Sequence, residues 1–357
     1  MLPSGIHFKD HAQELRLLHT GPQRAALVAL LLALAAFPLV ANSYLIGLAI
    51  TVAITVIAVA GLQVTVGMAG LLNLGQSAFV GVGAFAAAAL YANYQVPMLL
   101  AIPLAGLAAG AVSIFFSLPA IRIRGLYLAL TTIAAQVVFP IVVLRLPTAW
   151  FGGSAGIGID RVQAFGVALE TPAAFYAVAV GVMLVMLAIA FNLQRSHVGL
   201  AFRAIRDNDI ASSVLGVQLG RYKIMAFFAG AVFAGVAGGL YAFDIRYVTT
   251  DQFTIWLSIW YLGMLIVGGL GGPLGAILGT LAVTVLQEAI HWGGNRAMEA
   301  MPQISGGIIF SVTNIVLGAA IITMLIREPH GLAHRWKVLK SAYRIWPYPR
   351  ASASSSP

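Results

Sequence analysis

Apolar runs of about 20 residues recur ten times along this chain, and that recurrence limits the fold more than any other feature. A bilayer core roughly 30 Å thick demands about that length of a helix. Only helices and closed barrels satisfy their backbone groups in lipid, and these runs are about twice the length of a barrel strand. With 60% hydrophobic and 9% charged residues and a mean hydropathy of +0.94, an ordinary soluble domain is excluded. The sequence therefore predicts an all-α, polytopic helical membrane protein with about ten transmembrane helices. They fall near 25–41, 45–66, 78–95, 97–118, 125–146, 173–193, 223–244, 254–270, 273–290 and 304–326. The first follows Arg24 as a signal peptide would, but no small-x-small cleavage site follows and Pro38 sits near its end, so it reads as an uncleaved span.

Orientation follows from the bases. Lys9, Arg16 and Arg24 precede the first span, and Arg122 and Arg124 lie between the fourth and fifth. Five more occupy a polar island between the sixth and seventh, and six follow the last span, which makes sixteen of twenty on one side. Under the positive-inside rule both termini and the island are cytoplasmic. This divides the chain into a basic N-terminal extension (1–24), a transmembrane domain (25–326) enclosing a cytoplasmic segment (194–222), and a basic tail (327–357). The net charge of +9 is thereby a membrane-topology signal and not a nucleic-acid footprint. Outer loops are expected at 147–172, 244–254 and 291–303. The first carries the turn-forming FGGSAGIGID, and Arg145, Asp244 and Glu288 are placed to snorkel at outer ends.

Two glycine-rich stretches lie at membrane depth: GMAGLLNLGQS from Gly67 to Ser77, and GGLGGPLG from Gly268 to Gly275. Each reads as a broken helix beside a translocation path, or more plainly as close helix packing by small residues such as Gly81 and Gly83. Gly67, Gly70, Gly75, Gly271 and Gly272 are the hinge candidates. Asn73, Gln76 and Ser77 can satisfy backbone groups freed by the first break, and with Phe79 they are candidates for lining the solute pathway.

The island, RSHVGLAFRAIRDNDIASSVLGVQLGRYK from Arg195 to Lys223, sets Leu200, Ile205, Ile210, Ala211, Val214 and Leu215 at roughly helical spacing. It predicts an amphipathic helix or helix pair whose greasy side needs a partner groove; a plain solvated loop is the alternative. Enzyme and metal signatures are missing. The seven histidines form no HExxH pair, and with no cysteine there is no thiolate ligand. None of Lys9, Lys223, Lys337 and Lys340 follows a glycine, so the chain has no phosphate-binding Walker loop. Buried carboxylates suited to ion-driven transport are not seen within the spans.

Ile210, Ala211 and Ser212, followed after three residues by Gly216, resemble the Glu-Ala-Ala-xxx-Gly coupling signature of ABC importer permeases, with isoleucine in place of the acid. The whole island resembles the coupling segment of branched-chain amino acid importer permeases of the LivM-like family. GLQVTVGMAGLLNLGQSAFVGVGAFAAAAL, RIRGLYLALTTIA and VGGLGGPLGAILG are similar to further blocks of that family, from about Leu45 to Glu328. Gln76 stands where the family usually has histidine, and Asn208-Asp209 where it has an acidic pair.

The resemblance implies a permease without bond chemistry or cofactor of its own. It would pair with a second homologous permease, two cytoplasmic ATP-binding cassette ATPases that hold the ATP, and an extracytoplasmic solute-binding protein, in the bacterial inner membrane. Arg203, Ala204, Arg206, Asp207, Ile210, Ala211, Leu215 and Gly216 would form the ATPase contact, the two arginines meeting partner acids. Branched-chain or other largely apolar amino acids are the implied substrates, with urea, short amides or sugars as alternatives within the superfamily. A stand-alone carrier and a membrane-embedded enzyme are the readings from other classes.

Overall fold

A computed structural model describes residues 21–121, 123, 125–159, 163–164, 167–168, 171–300, 306–327 and 331–345. Within them the chain is almost wholly helical: α1 (Gly21–Val40), α2 (Ser43–Leu62), α3 (Gln76–Tyr94), α4 (Met98–Ser117), α5 (Leu126–Arg145), the single turn α6 (Thr148–Phe151), α7 (Pro172–Arg195), α8 (His197–Asp207), α9 (Asp209–Val214), α10 (Leu219–Ile245), α11 (Ile255–Gly268), α12 (Pro273–Ala300), α13 (Gly306–Arg327) and α14 (Leu332–Ile345). Each of the ten predicted spans coincides with one helix. Among the described residues seven helices are long and apolar enough to cross a membrane. α11 is an instructive departure: its 14 residues make about 21 Å, short of the hydrocarbon core. A second departure is 291–300, expected as outer loop, which continues α12 as helix.

The bundle is built around α10. Lipid offers no hydrophobic drive for helix association, so close approach of small residues supplies it. A Cβ placed on Gly83 of α3 would lie 2.3 Å from the Gly235 Cα of α10, and one on Gly238 of α10 would lie 1.9 Å from the Val80 oxygen. Gly61 of α2 meets the Gly230 oxygen at 2.5 Å in the same construction. These crossings bring α2, α3 and α4 onto one helix and bury Phe79, Phe85, Phe227, Phe243 and Leu240 around it.

The two ends of the bundle are distinct. At one, Ile157–Gly158 (β1) pairs antiparallel with Tyr247–Val248 (β4), joining two of the expected outer loops. Gly152, Gly153 and Gly156 make the turns there in the left-handed region, as the loop's composition predicted. A second two-residue hairpin, Gln163–Ala164 (β2) with Val167–Ala168 (β3), lies in the same loop. At the other end the island, both glycine breaks and the start of α14 come together. The expected alternation of loops thus has a physical counterpart. The N-terminal extension through residue 20, Arg122, Arg124, Arg161 and the end of the tail lie outside the described residues.

Candidate coupling and gating site

The island folds as the predicted helix pair, and its turns are specified locally. Ser196 caps α8 by accepting the Gly199 amide at 3.2 Å, and Asn208 caps α9 by accepting the Ala211 amide at 3.0 Å. Asparagine and aspartate serve about equally well as such caps. α9 ends in a Schellman motif: Gly216 N–H donates to the Ser213 carbonyl at 3.1 Å and Val217 N–H to that of Ser212 at 3.0 Å. Gly216 sits at φ +87, so the glycine of the coupling signature is required by backbone geometry.

The apolar stripe divides into two. Phe202, Ile205 and Ala201 of α8 are buried on the chain's own inner core, where Phe202 joins Val64, Met68, Leu71 and Phe227. Ile205, read from spacing as part of the partner face, is thus committed inward. Ile210, Val214 and Leu215 are 65%, 82% and 83% exposed, and Ala211 is exposed beside them. Three large aliphatics on and just after so short a helix form a compact apolar knob that nothing among the described residues covers.

The polar island residues likewise divide. Arg203, Asp207 and Leu200 are exposed, Ala204 is half-buried, and the Arg203 guanidinium reaches the Gln194 carbonyl at 3.5 Å. Arg206, expected to face partner acids, instead donates to the chain's own Gly67 and Leu270 carbonyls. Asp209 lies 3.7 Å from the ammonium of Lys223, which is only 3% exposed. Burial of a lysine demands such a counter-charge.

The first break opens where the glycines predict. α2 runs into a fully buried π-helical turn, Gln63–Met68, of the kind that interrupts a regular helix. Gly70 then turns at φ +68, and a Cβ there would meet the Arg206 stem at 3.0 Å. A Cβ on Gly75 would lie 2.5 Å from the Thr132 oxygen, so close approach, not φ, fixes that glycine. Freed amides find side chains: Leu74 N–H donates to Thr132 Oγ1 at 2.9 Å and Gly75 N–H to Asn73 Oδ1 at 3.0 Å. Asn73 Nδ2 donates to Gln76 Oε1 at 3.0 Å, and Gln76 Nε2 to the Ala58 carbonyl at 2.8 Å. Ser77 N–H donates to Ser258 Oγ at 2.9 Å, and Gln136 Nε2 to the Phe253 carbonyl at 2.6 Å.

Asn73, Gln76 and Ser77 are therefore buried structural ties in this chain. Phe79 stacks edge-on to Phe116 and lines an apolar cavity of about 460 Å³ between α3, α4 and α5. The Gln63 amide, both of its polar atoms buried, has no hydrogen-bond partner and lies against Gly67.

The second break is built from backbone. A Cβ on Gly268 would sit 1.8 Å from the Gly275 oxygen, and one on Gly279 would sit 1.9 Å from that of Met264. Gly271 is exposed, and its carbonyl accepts from Gln194 Nε2 at 3.2 Å; Gly272 lies against the same side chain. Gly331, at the start of the tail helix, packs on Gly269. Thr132, Gln136, Ser258, Gln194 and Gly331 were not singled out from sequence. Thr132, Gln136 and Ser258 are single polar residues in apolar runs, Gln194 and Gly331 lie at helix ends, and every partner is remote in the chain. Among the described residues no cluster of three or more histidines and acids suits a metal ion.

Broken helices met at one end by an amphipathic helix pair, within a bundle of membrane-length helices, are the anatomy of a multi-pass transport permease. The profile of the family described as branched-chain amino acid transport system, permease component, matches residues 44–325, and the chain belongs to that family. It is similar to the high-affinity branched-chain amino acid transport system permease protein LivM of Escherichia coli, 29% identical over 88% of this chain and 75% of that one. LivM of Salmonella typhimurium is 30% identical over the same shares. The autoinducer 2 import system permease protein LsrC of Yersinia pestis is 28% identical over 38% of this chain and 41% of its own length. No solved structure matches the chain.

Proposed function

We propose that this chain is one permease subunit of an ATP-binding cassette importer for branched-chain or other largely apolar amino acids. It works by alternating access in the bacterial inner membrane, with both termini cytoplasmic. Separate ATPase subunits dock on the island, a second homologous permease completes the pathway, and an extracytoplasmic binding protein delivers solute. The observation that carries the reading is the exposed knob of Ile210, Ala211, Val214 and Leu215, held by a capped helix and a required glycine. A helix laid in a groove is anchored by a few apolar side chains of this kind. The amino-acid substrate class rests on the similarity to LivM over most of the chain.

The test is Ala211→Glu in the assembled complex. Burial of an unpaired carboxylate in the groove costs several kcal/mol, so the variant should insert in the membrane but lose its ATPase subunits on co-purification. Retention of both ATPases with normal uptake would sink the coupling assignment. Uptake of labelled leucine into proteoliposomes, competed by valine but not by urea, is the expected substrate result; competition by urea alone reverses it.

A further inference from the structure

Arg206 occupies the last turn of α8, where the island meets the membrane core. Its stem lies on the first break: a Cβ on Gly70 would stand 3.0 Å from its Cγ and 3.3 Å from its Cα. Its Nη1 donates to the Gly67 carbonyl in the π turn that ends α2, and at 3.2 Å to the Leu270 carbonyl just beyond the end of α11. Both acceptors are carbonyls at the C-terminal end of an interrupted helix. Such ends leave carbonyls without intrahelical partners and carry partial negative charge, which favours a cation. One guanidinium thus caps two broken helices that are some 200 residues apart in sequence.

We propose that Arg206 is a positioning residue, a latch that ties the coupling helix pair to both broken helices at once. The role rests on the importer reading above and goes beyond it, because it assigns this arginine to the permease's own gate instead of to the ATPase. α8 cannot be displaced without either carrying both breaks with it or releasing both carbonyls. The knob that docks the ATPase, on α9, is separate from the latch, so docking and transmission are divided between neighbouring helices. Lysine is not an equivalent: both bonds leave Nη1, and the lysine ammonium ends one bond nearer its Cα, short of holding both carbonyls.

The experiment uses the full importer in nanodiscs and reads substrate moved per ATP hydrolysed. Arg206→Ala should keep its ATPases and hydrolyse ATP, yet transport per ATP should fall by roughly tenfold or more, the scale of losing charged hydrogen bonds. Arg206→Lys should restore part of the ratio. The chain has no cysteine, so spin labels can be placed uniquely at Ser213→Cys and Leu274→Cys. Their separation, one narrow population in the parent, should broaden in Arg206→Ala without nucleotide. Parent-like transport per ATP together with a narrow distance overturns the latch. If Arg206→Ala does not assemble, Arg206→Lys decides, and a ratio equal to the parent's overturns it. Should the parent transport without any ATPase, the importer reading fails, while the label distance still judges the latch on its own.

Discussion

The two glycine breaks look alike in sequence and are built on opposite principles. The first is internal: buried Asn73 and Thr132 accept from its freed amides, Gln76 ties Asn73 to the Ala58 carbonyl, and remoteness from water strengthens those bonds. The second has little side-chain support within it. Gly268, Gly275 and Gly279 bring two backbones into contact, and its loose carbonyls are held by Gln194 and Arg206 from neighbouring helices. Polar ties lock a break in one shape, whereas a glycine hairpin held from outside changes shape when its holders move. The first break is accordingly the more rigid of the two, although Arg206 holds one carbonyl of each.

The comparison is broken most severely at the glycine hairpin. Gly279→Leu must part α11 from α12, because its Cβ alone would collide with the Met264 oxygen. It should cost about 3 kcal/mol or more and abolish monodisperse complex in detergent. If the complex is normal, the hairpin is not held by backbone contact. Gly70→Leu comes next. Its left-handed φ costs about 1–2 kcal/mol, and its side chain displaces Arg206, so uptake should fall further than thermal stability does.

Asp209→Asn should be harmful as well, because it removes the carboxylate charge 3.7 Å from the buried Lys223 ammonium. About 2 kcal/mol is expected, less than for a fully buried pair since Asp209 is itself partly wet. Thermal unfolding of the solubilised complex checks it, and double replacement with Lys223→Met should recover most of the loss.

Smaller effects sharpen the contrast. Gln76→Leu removes the donor to Ala58 and the acceptor of Asn73 and should lower stability by roughly 1–2 kcal/mol. Gln76→His keeps a ring N–H for the same carbonyl and should be milder. Gly181→Leu, with nothing within 4 Å of its Cβ, sets the baseline at about ±0.5 kcal/mol. Equal damage at Gly181 and Gly70 would show that bulk alone, not break geometry, governs tolerance.

Period and length made most of this fold legible. An apolar run of about 20 residues in a lipid-dwelling chain has one stable backbone solution, so ten helices could be placed from composition alone. The island helix pair was legible for the same reason, through its periodicity and its caps. The division of its stripe was not, because Ile205 and Ile210 are chemically identical and only the tertiary packing tells which is buried and which faces water. The roles of Arg206 and Asp209 were hidden likewise: each partner, Gly67, Leu270 or Lys223, is set by how distant helices meet. The short α11 was masked by the glycines that follow it, which hydropathy counts as continuing the run.

α10 has a consequence for how the two ends of the molecule communicate. It begins three residues after Gly216, carries no proline, and ends beside the Tyr247–Val248 ribbon, about 40 Å away. Its glycines grip the neighbouring helices midway, at Gly230, Gly235 and Gly238. A straight rod clasped at its waist retains tilt as its easiest motion, and tilt moves its two tips in opposite directions. The crossing point is then a fulcrum. A displacement near Gly216 would swing the far tip the other way, so one rigid helix links the two ends of the bundle mechanically.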